Sequence, residues 1–190
     1  MTTNQAGDRN FIIKQTGNND FNSDLEFSLD ASLENFWDEV YEKAFPDMIG
    51  SEICKDIHWQ KQGVDRVVYM GTGHSVHIDE KVRREVWPDI LLEYLSNSRI
   101  GATGWINKPL SIDYLAYAFL PTKRVYLFPW PMLRRAWIEY KELWKGSYKK
   151  VRAQNHGYHT LSVAVPISEL RIKVNNAMII QLGKGPLNNP

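Results

Sequence analysis

Gly63-Val64-Asp65-Arg66-Val67-Val68-Tyr69-Met70, then Gly71-Thr72-Gly73, then His74-Ser75-Val76-His77-Ile78-Asp79-Glu80-Lys81-Val82-Arg83 is the run whose reading decides the fold. Its two flanks are strand-like, and the glycine-framed triplet between them is a hairpin turn. Side chains alternate between the faces of a strand. Val76, Ile78 and Val82 therefore point one way, and His77, Asp79, Lys81 and Arg83 the other. A carboxylate and an ammonium two residues apart on one face, with Asp65 upstream on the neighbouring strand, suits hydrolysis assisted by a divalent metal.

Upstream of the hairpin, Leu33, Phe36, Trp37, Val40, Tyr41, Ala44 and Phe45 recur at helical spacing. Asp30 or Ser32 can cap that helix, and Pro46 ends it. Glu34 falls inside the apolar arc and Asp38 at its border, and an acid on an inward face needs a partner or a task. Residues 1–22 are rich in Asn, Thr, Gly and Gln and read as a flexible or loosely docked arm, with Phe11-Ile12-Ile13 able to pin it. Downstream, Pro88-Asp89 breaks the chain before Ile90–Leu95, a third apolar strand. Ile112–Leu120 and Arg124–Phe128 flank a Pro121-Thr122-Lys123 turn. A helix opens at Pro129 or Pro131 and runs through Leu143, with Leu133, Ala136, Trp137 and Tyr140 inward. Lys145–Arg152 reads as basic and turn-rich, Tyr158–Val165 as a late strand, and Ile167–Leu170 as a helical turn. Residues 184–190 read as a frayed tail, leaving one domain over 23–183. The order helix, three strands, hairpin, helix, strand predicts an α/β fold with a mixed central sheet flanked by helices.

At 190 residues, 43% hydrophobic and 24% charged, the chain suits one soluble globular domain. Its net charge of +1 puts any nucleic-acid contact in local clusters rather than in a global polycation. The single Cys54 excludes an internal disulfide and a cysteine-built zinc site, and fits a reducing compartment. No apolar run approaches the ~20 residues of a membrane span. The start of the chain lacks the basic-then-apolar order of a secretion signal, so a cytoplasmic protein without membrane contact is expected.

Phosphodiester hydrolysis needs an activated water and a neutralised leaving oxygen, and a divalent metal serves both. Magnesium takes oxygen ligands and keeps several waters, so two carboxylates and substrate phosphate suffice to hold it. Asp65 and Asp79 would supply the carboxylates and the backbone carbonyl of Glu80 a further ligand. Lys81 would hold the water or steady the pentavalent phosphate. Glu34 or Glu93 would add a ligand or an acceptor.

Gly63-Val64-Asp65 followed one hairpin later by Asp79-Glu80-Lys81 resembles the PD-(D/E)XK nuclease superfamily, which includes restriction endonucleases, junction resolvases and phage exonucleases. The resemblance covers roughly Leu33 to Val165. It implies a restriction-endonuclease-like core, Mg2+ or Mn2+ as cofactor, and DNA, duplex or branched, as substrate. Asp65 matches the first-motif ligand, Asp79 the second-motif acid, Lys81 the catalytic lysine, and Glu34 the acid that some members carry on the first helix. Gln62 resembles a polar residue seen near that site. Val64 stands where many members have proline, and a slip of one residue would make Glu80 the ligand. Phage and bacterial proteins supply many small nucleases of this kind.

Phosphates would be held by Arg83 and Arg84 beside the motif and by the Lys145, Lys149, Lys150 and Arg152 cluster, where Tyr148 could stack on a base. Lys108, Lys123-Arg124 and Arg134-Arg135 are further basic positions. His77 shares the Asp79 face and could orient phosphate, whereas His156 and His159 read first as a turn into a strand. A homodimer would suit cutting both strands. Two other readings stand beside the nuclease: an inactive adaptor of the same fold that binds nucleic acid or protein, and a structural or carbohydrate-contacting domain using Trp59, Trp105 or Trp130.

Overall fold

The computed structural model describes residues 11–14 and 31–183. The expected cap at Asp30, the tail 184–190 and most of the 1–22 arm lie outside them. The elements are β1 (Phe11–Lys14), α1 (Ala31–Ala44), β2 (Met48–Ile53), α2 (Ile57–Lys61), β3 (Arg66–Met70), β4 (Ser75–Arg83), β5 (Asp89–Asn97), β6 (Ala102–Thr103), β7 (Tyr114–Phe119), β8 (Arg124–Pro129), α3 (Trp130–Ser147), β9 (Lys150–Asn155), β10 (Tyr158–Pro166), α4 (Ile167–Lys173) and β11 (Met178–Gln181).

The expected hairpin forms. β3 pairs antiparallel with β4, Arg66 opposite Ile78 and Tyr69 opposite Ser75. Gly73 N–H reaches the Met70 carbonyl at 2.9 Å. Gly73 itself sits at φ +83°, a left-handed conformation that glycine adopts without a Cβ penalty. β4 then lies parallel to β7, and the six-stranded mixed sheet runs β11-β8-β7-β4-β3-β2. A second sheet runs β1-β9-β10-β5-β6.

The six-stranded sheet is covered on both faces. On one, Leu33, Trp37, Val40 and Tyr41 of α1 bury against Val68, Ile78, Ala116, Ala118, Val125 and Leu127. On the other, Leu115, Tyr117, Phe119, Tyr126 and Phe128 meet Ile90 and Leu92 of β5, Val163 and Val165 of β10, and Leu133, Trp137 and Trp144 of α3. The chain is thus a mixed α/β fold in layers, with helices and a second sheet packed on a curled mixed sheet.

Three readings of the sequence are corrected. Ile90–Leu95 is a strand, but it pairs with β10 in the second sheet rather than extending the hairpin; periodicity identifies an element without naming its neighbour. The third strand beside the hairpin is β2, whose edge position and half-exposed Met48-Ile49-Gly50-Ser51-Glu52-Ile53 sequence give it little apolar alternation. Residues after Leu143 are not a turn-rich stretch: α3 continues to Ser147, and Lys150–Asn155 forms β9, bonded on both edges by β1 and β10.

Candidate active site

Strand alternation on β4 holds in three dimensions. Val76, Ile78 and Val82 face α1, whereas Asp79, Lys81 and Arg83 face the larger core and β5. Asp65 immediately precedes β3, and continuing the β3–β4 register would set it opposite Asp79. Its N–H donates to the Ile78 carbonyl at 2.9 Å, and its Oδ2 accepts the Glu80 N–H at 2.8 Å. These bonds on either side of Asp79 put the Asp65 carboxyl on the Asp79 side of the hairpin, close enough for its charge to act on Asp79.

Asp79 is only 2% exposed, and its Oδ1 pairs directly with Lys81 Nζ. Burial raises its pKa from the ordinary 3.8; Lys81 opposes the rise, Asp65 adds to it, and the result is about 7. Burial works to lower the Lys81 pKa, but the Asp79 and Asp65 carboxylates outweigh it and hold the ammonium above its usual range. Glu93, on β5, has its pKa raised by burial against a hydrogen bond from the Trp105 backbone and the charges of Lys81 and Lys108. Asp65, Asp79, Lys81 and Glu93 therefore form one electrostatic neighbourhood on the inner face of β4. Among the described residues, no three His, Cys, Asp or Glu side chains converge as a complete metal cage.

Glu80 and Glu34 stand elsewhere. The Glu80 side chain lies on the α1 face, where Oε1 accepts Arg66 Nε at 2.7 Å and the Tyr41 hydroxyl at 2.9 Å. Burial raises its pKa to about 7 against the pull of Arg66. Its side chain cannot replace Asp79, because successive residues on a strand face opposite ways; only its backbone belongs to the Asp79 side. Glu34 is exposed on α1, behind the sheet. The helix acid that turns inward is Asp38, whose Oδ1 accepts Ser51 Oγ at 2.6 Å and lies 3.6 Å from Arg66 Nη1.

The phosphate-binding candidates are dispersed. Arg83, on the Lys81 face, pairs with Asp89 at 3.6 Å, while its buried Nε has no partner. Arg84 is exposed. Lys149 Nζ lies 5.8 Å from the Trp87 ring centre, and Lys150 and Arg152 sit on β9 in the second sheet. Gln62 is tied to Ser111, its carbonyl accepting Ser111 N–H at 2.9 Å. The His77 ring rests against Trp59, centroids 4.8 Å apart. His156 and His159 flank Gly157 at the β9–β10 turn, as expected. Trp59 is well exposed, whereas Trp130 is buried and packs against Trp105, ring centroids 6.3 Å apart.

The reading of the sequence missed Arg66, Ser51 and the polar role of Tyr41, which with the half-exposed Asp38 form a polar cluster on the α1 face, behind Asp65 and Asp79. One signal was present: alternation puts Arg66 on the Val68 face, and an arginine there requires a buried acid. Comparison with protein-family models, curated protein sequences and solved structures finds no match to this chain.

Proposed function

We propose that the protein is a Mg2+- or Mn2+-dependent nuclease hydrolysing DNA phosphodiester bonds, with a restriction-endonuclease-like core of the PD-(D/E)XK type. The observation that carries this reading is the convergence of Asp65, Asp79 and Lys81 on one buried strand face, with Glu93 beside them. Two carboxylates from adjacent strands are hard oxygen donors that fit either ion. The raised pKa of Asp79 comes first from burial and then from the Asp65 charge beside it, and a bound cation would offset both. When bound, the ion supplies Lewis acidity at the phosphate and lowers the pKa of the attacking water.

The chain's own residues do the rest. Asp65, oriented by the Glu80 N–H, and Asp79 hold the cation, and the Glu80 carbonyl lies on the same stretch of backbone. Lys81 is fully ammonium at neutral pH, so it steadies the negative charge developing on phosphate rather than accepting a proton from water. Glu93, close enough to Lys81 for the two charges to interact, would add a ligand or an acceptor beside the pair.

Mn2+-dependent nicking of plasmid and branched DNA, measured for wild type and Lys81→Ala, tests this reading. Wild type should cut, and the variant should lose about two orders of magnitude, as when a single oxyanion-stabilising group is removed. Equal cutting by both overturns the site. The adaptor reading has one observation in its favour: the direct Lys81–Asp79 ion pair already neutralises one carboxylate. It predicts DNA retention with neither cleavage nor a heat of Mn2+ binding.

A further inference from the structure

Trp59 is 41% exposed on α2, a five-residue helix with no buried side chain. The indole therefore does not build the core, yet its backbone is fixed. The Trp59 carbonyl accepts the N–H groups of Gln62 at 2.9 Å and Val64 at 3.0 Å, and its N–H points to the Asp56 carboxylate at 3.3 Å. Val64 is the residue before Asp65, so the indole and the first carboxylate are mounted on one bonded segment. The ring leans on His77, centroids 4.8 Å apart and planes at 58°, with His58 at 6.1 Å. His77 lies two residues before Asp79 on the same strand face, roughly 7 Å along the strand.

A rigid, exposed aromatic loses little conformational freedom when it binds a flat partner. Beside a site that handles phosphate, the flat partner is a nucleobase. Bases inside a duplex are stacked on one another and cannot lie against an indole, so the base must be unpaired. We propose that Trp59, backed by His77, is a stacking platform for an unpaired base next to the phosphate held at Asp65 and Asp79. The preferred substrate is then a single strand, or a junction or mismatch with a splayed nucleotide. The choice of a nucleobase as partner and the position of the phosphate both rest on the nuclease reading above, while base binding is measured apart from cleavage.

The test is fluorescence-anisotropy binding in EDTA of a labelled oligothymidine, an abasic chain of equal length and a blunt duplex, to wild type, Trp59→Ala and Trp59→Phe. Trp59→Ala should bind oligothymidine roughly tenfold more weakly, the effect of losing one base–aromatic stack. The abasic chain and the duplex should bind unchanged, and Trp59→Phe should keep most of the wild-type affinity. Equal oligothymidine binding by wild type and Trp59→Ala overturns the platform, as does equal weakening on the abasic chain or no single-strand binding by wild type. Mn2+-dependent cleavage of the same oligothymidine by wild type and Lys81→Ala is scored separately. A stacking signature without cleavage overturns the nuclease and keeps the platform; cleavage without base dependence does the reverse.

Discussion

Asp79 carries the clearest pH dependence. Its folded pKa of about 7 lies above the ordinary 3.8, and that of Glu80 rises from 4.5 to about 7. Between pH 4 and 7 the folded chain therefore holds more protons than the unfolded one. The stability these two groups contribute is complete below about pH 4 and is lost as pH rises through 7. Asp79→Asn removes one of the two titrations. Urea unfolding at pH 4.5, 6 and 7.5 should show wild type losing ground to Asp79→Asn as pH rises; a constant difference would refute the shift. Divalent binding should respond in the opposite sense, because the ion must displace the Asp79 proton. Calorimetric Mn2+ affinity should climb between pH 5.5 and 7.5 and level off above, and an affinity independent of pH would remove Asp79 from the ligand set.

The hairpin β3–β4 carries two charged pairs back to back. On the inner face Asp65 meets Asp79. On the α1 face the next residue of each strand, Arg66 and Glu80, forms a buried ion pair at 2.7 Å that Tyr41 completes. This second pair locks the strands in the register that brings the two aspartates together. Breaking such a pair from one side leaves a buried charge alone, so Arg66→Met should cost about 3–5 kcal/mol, whereas Arg66→Met with Glu80→Leu should lie near wild type. Thermal unfolding of the two single variants and the double variant reads the coupling; additive losses would show that the pair does not act as a unit. Ile78 sets the scale for ordinary packing on the same strand. It is fully buried, and Ile78→Ala should cost about 2–5 kcal/mol through the cavity it leaves.

The layered architecture brings β5 over the inner face of β4, so Glu93 approaches Lys81 from a strand that belongs to another sheet. Ligand binding at such a junction stabilises the whole fold, because the unfolded chain has no preformed site. Mn2+ at a hundredfold over its Kd should add about 2.7 kcal/mol, a rise of roughly 5–11 °C in melting temperature for a chain of this size. No shift in wild type, or an equal shift in a variant with Asp65→Asn and Asp79→Asn, would place metal binding elsewhere or nowhere. No helix among the described residues is long and apolar enough to cross a membrane.

What could be read along the chain was whatever local periodicity encodes. The period of two on β4 separated Asp79 and Lys81 from Ile78 and Val82 before any coordinates, because alternation is a property of the extended backbone itself. The period of 3.6 likewise located α1 and most of α3. The partners were not encoded in this way. That β4 pairs with β7, that β5 leaves for a second sheet, that Asp38 rather than Glu34 turns inward, and that Arg66 answers Glu80 all follow from long-range packing. Such contacts join residues that are not neighbours along the chain, and only the burial of both faces of the sheet selects among the pairings that the local patterns allow.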